Sequence, residues 1–106
     1  MIEIGDKDFP AKVLKAPLPA VLFCYAEWAG PCNLLRPEIE AVAAANTNSL
    51  RVFALNIEDH SAAPIQYAVK GVPALLLFDR GELVASKVGA ITAEQIVEWL
   101  IEKGVL

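Results

Sequence analysis

Cysteine, histidine and methionine are scarce in this chain of 106 residues, with two, one and one copies. Cys24 and Cys32 are too few for a disulfide framework and suit a reducing compartment, so a cytoplasmic setting is expected. His60 has no Cys/His cluster around it, so neither a zinc site nor a resident cofactor is expected; near a helix start it should face solvent. No apolar run approaches the roughly 20 residues of a membrane-spanning helix. Met1-Ile2-Glu3-Ile4 carries acid early and lacks a basic start before an apolar stretch, so neither a signal peptide nor a membrane partner is expected. Lys and Arg number 9 against 13 Asp and Glu, giving a net charge of −4. With a pI near 4.9 and no basic stripe, nucleic acid is an unsuitable partner. A Gly-rich phosphate loop and a serine triad are both missing.

What is present is core. Hydrophobic residues make up 56% and charged residues 21%, the balance of a compact globule. The length suffices for a single domain, taken as residues 1–106. Met1 to Ile4 reads as a short edge strand. Asp6 or Asp8 is placed to cap a helix running to about Lys15, with Pro10 in its first turn. Ala20-Val21-Leu22-Phe23-Cys24-Tyr25 and Ala74-Leu75-Leu76-Leu77-Phe78 are unbroken apolar runs, the pattern of strands covered on both faces. Pro31 suits the first turn of a helix whose buried face is Leu35, Ile39, Val42 and Ala43. Pro37 should kink that helix and Asn46-Thr47-Asn48 should end it. Leu50 to Ile57 reads as a strand, and Asp59 or Ser61 starts a helix that holds Pro64 and ends by Gly71. Asp79-Arg80-Gly81-Glu82 is a hairpin turn, after which Leu83 to Val88 pairs back, Lys87 guarding an edge. Thr92-Ala93-Glu94-Gln95 is a capping box, and Ile96, Val97, Leu100 and Ile101 form the core face of the last helix. The order β-α-β-α-β-α-β-β-α gives an α/β fold with a central mixed sheet of four to five strands, flanked by helices on both faces.

Positions 28–32 read Trp28-Ala29-Gly30-Pro31-Cys32. Ala26-Glu27 precedes them, and Pro37, Leu55-Asn56-Ile57, Gly71-Val72-Pro73, Asp79-Arg80-Gly81 and Val88-Gly89-Ala90 come after at fitting separations. In that order, over almost the whole length, the chain resembles the thioredoxin family. The resemblance implies the thioredoxin fold and thiol–disulfide exchange on protein disulfides, with electrons from a thioredoxin-reductase-type donor. It makes position 29 the attacking nucleophile, Cys32 the resolving cysteine and Pro73 a cis-proline. It also makes Trp28, Gly30, Pro31, Val72, Pro73, Gly89 and Ala90 a shallow apolar surface that receives an extended substrate segment. A monomer or weak dimer is expected, because that surface is apolar.

The fault lies at the reacting atom. Exchange begins with a thiolate attacking a disulfide sulfur, and Ala29 has no sulfur. Position 29 is expected to be exposed at a helix N-terminus, where backbone N–H groups would lower a thiol's pKa. Cys32 is expected to be shielded inside the first turn, where it cannot replace the nucleophile. Phe23 stands where the family usually carries a buried aspartate, Ala54 where it often carries lysine, and Ala74 where threonine is common. Losing both charges together is coherent, since a lone buried charge is costly. Because the rest of the pentapeptide is intact, the expected function is a protein-disulfide oxidoreductase disarmed by an engineered Cys→Ala substitution. The alternative is a natural non-redox binding or chaperone module using the same surface. Cys24 is expected to be a small buried hydrophobe, unable to reach Cys32. Trp28 is expected on the docking surface, Trp99 in the packing, and Glu27 as a surface charge.

Overall fold

The computed structural model describes residues 1–106. Five strands form one sheet in the order β1-β3-β2-β4-β5: β1 Ile2–Glu3, β2 Ala20–Tyr25, β3 Arg51–Asn56, β4 Ala74–Asp79 and β5 Glu82–Val88. β1 and β2 run parallel to β3, while β4 is antiparallel to both β2 and β5. Alternate residues of a strand point to opposite faces, so β2 feeds two cores at once. Val21, Phe23 and Tyr25 join one core with α1 (Gly30–Ala45) and α3 (Ala93–Glu102). Ala20, Leu22 and Cys24 join another with α2 (Ala62–Gln66) and the N-terminal segment. All six residues of β2 are buried, which is why its sequence shows no polar alternation. No helix is long and apolar enough to cross a membrane.

Sequence and structure agree on α1 and α3 with one exception. α1 runs through Pro37 without ending, buries Leu35, Ile39 and Val42, and closes with Asn46 Nδ2 donating to the Val42 carbonyl at 2.8 Å. At the start of α3, the Gln95 N–H donates to Thr92 Oγ1, and Gln95 Oε1 accepts from the Thr92 N–H. Ile101, expected on the core face, is 56% exposed. The buried stripe is Ile96, Trp99 and Leu100, and Ile101 lies one helical step beyond it.

The N-terminal third departs further. The expected helix to Lys15 is a single π-helical turn, Pro10–Leu14, carried by the Lys15 N–H donating to the Pro10 carbonyl. Its purpose in packing is local: it buries Val13 beside Phe9, whose ring meets Phe78 edge-on at 5.5 Å. Neither aspartate caps it. Asp8 turns back to accept from the Gly5 N–H, and Asp6 caps α2 from a distance, accepting from the N–H groups of Ala62 and Ala63. α2 itself is short, Ala62–Gln66, holding Pro64 and ending before Gly71 as expected. His60, expected to face solvent, is half-buried. Its Nδ1 accepts from the Asp6 N–H at 3.2 Å, and its ring lies so close over Gly5 that a Cβ there would come within 2.5 Å. The hairpin turn has positive φ at both Arg80 (54°) and Gly81 (82°), the pattern that matches strand twist. Val84 is an extra residue in β5, since Leu83 pairs with Phe78 and Ala85 with Leu77.

Candidate functional site

Antiparallel pairing gathers the candidate residues at one end of the sheet. Cys24 stands opposite Ala74, and Ala74 opposite Val88. The end of β2, the start of β4 and the end of β5 are therefore neighbours. From these three ends emerge Ala26 to Cys32, Val72–Pro73 and Gly89–Ala90. The Val72–Pro73 peptide is cis. The Gly89 N–H donates to the Pro73 carbonyl at 2.9 Å and ties the second loop to the third. Gly89 holds φ at 104°, a conformation that glycine adopts without strain. Pro73 is buried, Val72 and Gly89 are half-buried, and Gly30, Pro31 and Ala90 are exposed. Trp28 is 72% exposed, a large apolar ring held in water.

Position 29 differs from expectation. Ala29 is only 7% exposed, because its methyl joins the α1 core while its backbone is used twice. Its N–H donates to the Ala26 carbonyl at 3.2 Å, and its carbonyl accepts from the Cys32 N–H at 3.0 Å. It occupies the N-cap position of α1 in an extended conformation and offers no side-chain acceptor to the helix. Cys32 is 2% exposed and packs in the same core. Cys24 belongs to the opposite core, so the sheet itself separates the two free thiols. Burial pushes the Cys24 thiol up to about 12, which keeps it protonated and inert at neutral pH. The site thus presents an apolar platform with no accessible sulfur.

Below the platform lies a layer that sequence reasoning reaches only in part. Phe23 and Ala54 are direct cross-strand partners, and Ala54 in turn faces Glu3. Ala54, on β3, is small and buried in the core. Tyr25 reaches across that strand and donates its hydroxyl to Glu3 Oε2 at 2.8 Å. The Phe23 and Tyr25 rings stack at 5.3 Å, and the Arg36 guanidinium covers them, 4.4 Å from the Tyr25 centroid and 5.3 Å from that of Phe23. Burial raises the Tyr25 pKa, the Glu3 carboxylate adds to this, and Arg36 opposes it. The clue to Tyr25 is its two-residue spacing from Phe23; nothing in the sequence points to Glu3 or Arg36 as its partners. Sequence reasoning also misses Leu34. It is 67% exposed and lines a hollow of about 280 Å³ with Ala90 and Ile91, which abuts the platform on the α1 side. Its position beside the core residue Leu35, off the buried stripe, is the available signal.

Comparison with known proteins agrees with this geometry. The Thioredoxin family model matches residues 1–102. Thioredoxin from Acidithiobacillus ferridurans is 39% identical over 100 residues, covering 94% of this chain and 93% of that protein. Thioredoxin from Buchnera aphidicola is 41% identical over 103 residues, covering 96% and 94%. Thioredoxin from Pseudomonas aeruginosa is 37% identical over 100 residues, covering 94% and 93%. Sheet order, the loops meeting at one end of the sheet and these likenesses lead to one conclusion: the chain belongs to the thioredoxin family of thiol–disulfide oxidoreductases.

Proposed function

We propose that residues 1–106 form one thioredoxin domain that docks disulfide-bearing protein segments but does not reduce them, because an engineered Cys→Ala substitution at position 29 has removed the nucleophile. The observation that carries this is the isolated nature of the change. Ala29 holds the N-cap of α1 amid Trp28, Gly30, Pro31 and Cys32, all still in the family's pattern. Trp28, Gly30, Pro31, Val72, Pro73, Gly89 and Ala90 receive the segment, and Cys32 is the resolving cysteine left without an attacking one. In the parent form, a thiolate at 29 forms a mixed disulfide and releases one substrate thiol. Cys32 then attacks the sulfur at 29, releases the second thiol and leaves a 29–32 disulfide for a thioredoxin-reductase-type donor. With only two cysteines, too few for a disulfide framework, the chain suits a reducing, cytoplasmic setting.

A second reading has its own support. The Phe23–Tyr25–Arg36–Glu3 layer is complete and satisfied without the family's buried charges, as in a natural non-redox binding or chaperone module. Insulin reduction under a dithiol reductant separates the two. The chain itself should be inactive, and Ala29→Cys should restore turnover with unchanged folding. A folded but inactive Ala29→Cys protein overturns the oxidoreductase parentage and leaves the binding module.

A further inference from the structure

We propose a second docking surface, the seam between α1 and α3, which takes the apolar face of a basic amphipathic helix from a partner protein. Two hollows lie in line along this helix pair. The one nearer the platform is lined by Leu34, Glu38, Ala90 and Ile91; the other, about 380 Å³, has Ala41, Val42, Ala45, Ala93 and Val97 as its floor. On α1 the positions 34, 38, 41 and 45 are spaced by four, three and four residues, so they form one stripe. That stripe is about 16 Å long, close to three helical turns.

The chemistry of the walls selects the occupant. Apart from the Ala90–Thr92 loop at one end, both walls are helices, which offer no strand edge for an extended segment to pair with. A partner has to arrive with its own backbone hydrogen bonds made, and a helix does that. The alanines at 41, 45 and 93 are small enough for large apolar side chains of a third helix to seat between the two ridges. The rim is acidic. Glu38, Glu94 and Glu98 line the hollows, and none joins an ion pair; the Lys/Arg–carboxylate pairs in the protein are Arg36–Glu40 and Lys103–Glu102. Neither hollow has a lysine or arginine in its lining. A helix with leucines on one face and lysines along its flanks complements both floor and rim.

The test uses a synthetic Leu/Lys amphipathic peptide of about 14 residues, long enough for the seam, titrated into the whole isotope-labelled chain and read by amide shifts. Saturable shifts centred on Ala41, Ala45, Ala93 and Val97 are expected. Ala41→Phe with Ala45→Phe fills the hollow at exposed positions without altering charge, and should weaken binding by about tenfold. Glu94→Lys with Glu98→Lys, also exposed, should weaken it by about as much at low salt. Trp28→Ala should leave it unchanged, which keeps this surface distinct from the platform. The proposal is overturned by no saturable binding, by shifts centred on Trp28, by equal binding of a Leu/Glu peptide, or by folded double-Phe and double-Lys variants that bind as well as the parent.

Discussion

The rim of the candidate site and the floor beneath it are built in opposite ways, one in water and one closed off from it. The rim, Trp28, Gly30 and Pro31, is largely exposed, and Ala29 between them offers only a methyl, turned inward. The floor, with Phe23 paired to Ala54, is closed by the stacked rings, the guanidinium and the Glu3 hydrogen bond. The rim contributes little to folding because its apolar surface is not removed from water. The floor contributes much, since Phe23 is fully buried. The two layers are therefore separable in this fold. One stands in water while the other is closed by apolar and aromatic material.

The sharpest way to break the comparison is to return charge to the floor. Phe23→Asp places a carboxylate at a position with no exposure and leaves a void where the ring was. A loss of about 3–5 kcal/mol is expected, seen as a lower urea midpoint. Adding Ala54→Lys supplies a cation from the directly paired position and should recover part of it. If Phe23→Asp costs less than about 1 kcal/mol, the floor is not a closed apolar layer.

The rim should respond in the opposite sense. Trp28→Ala should change stability by no more than about 0.5 kcal/mol, because the side chain is mostly in water. On the Ala29→Cys background the same change should lower kcat/KM for insulin by about tenfold, as expected of an aromatic anchor. A large stability loss with unaltered kcat/KM would reverse the roles of rim and floor.

The strands, α1, α3 and the rim are legible because each is written in local sequence: apolar runs, a capping box, a five-residue motif. The features that are not legible depend on contacts between distant residues. Local pattern makes Asp6 the cap of its own helix, but it caps α2, more than 50 residues away. The same pattern leaves His60 facing solvent, whereas Gly5 and Asp6 close over it. A helix N-terminus is usually exposed, yet the turn from Ala26 folds the Ala29 methyl inward. Phe23 and Ala54 are visible in the sequence as missing charges, and their pairing comes from register; Arg36 and Glu3 come from other elements and leave no trace in local pattern.

The finest distinction concerns one oxygen in the floor. Tyr25→Phe keeps the stacked ring and removes only the hydroxyl that donates to Glu3, so about 1 kcal/mol should be lost at neutral pH. Its larger use is with pH. The folded-state pKa of Tyr25 lies above the ordinary value near 10, first through burial and then through Glu3. Below pH 10 the hydroxyl is protonated in both folded and unfolded chains, and its stabilisation is fully present. As pH rises through 10 toward the folded pKa, the unfolded chain ionises first and binds fewer protons, so stability falls. Cys24 acts in the same direction between about 9 and 12. Urea titrations from pH 8 to pH 11 should therefore show stability declining in both proteins, with a shallower decline for Tyr25→Phe. Equal slopes would mean that neither burial nor Glu3 holds the Tyr25 proton in the folded chain.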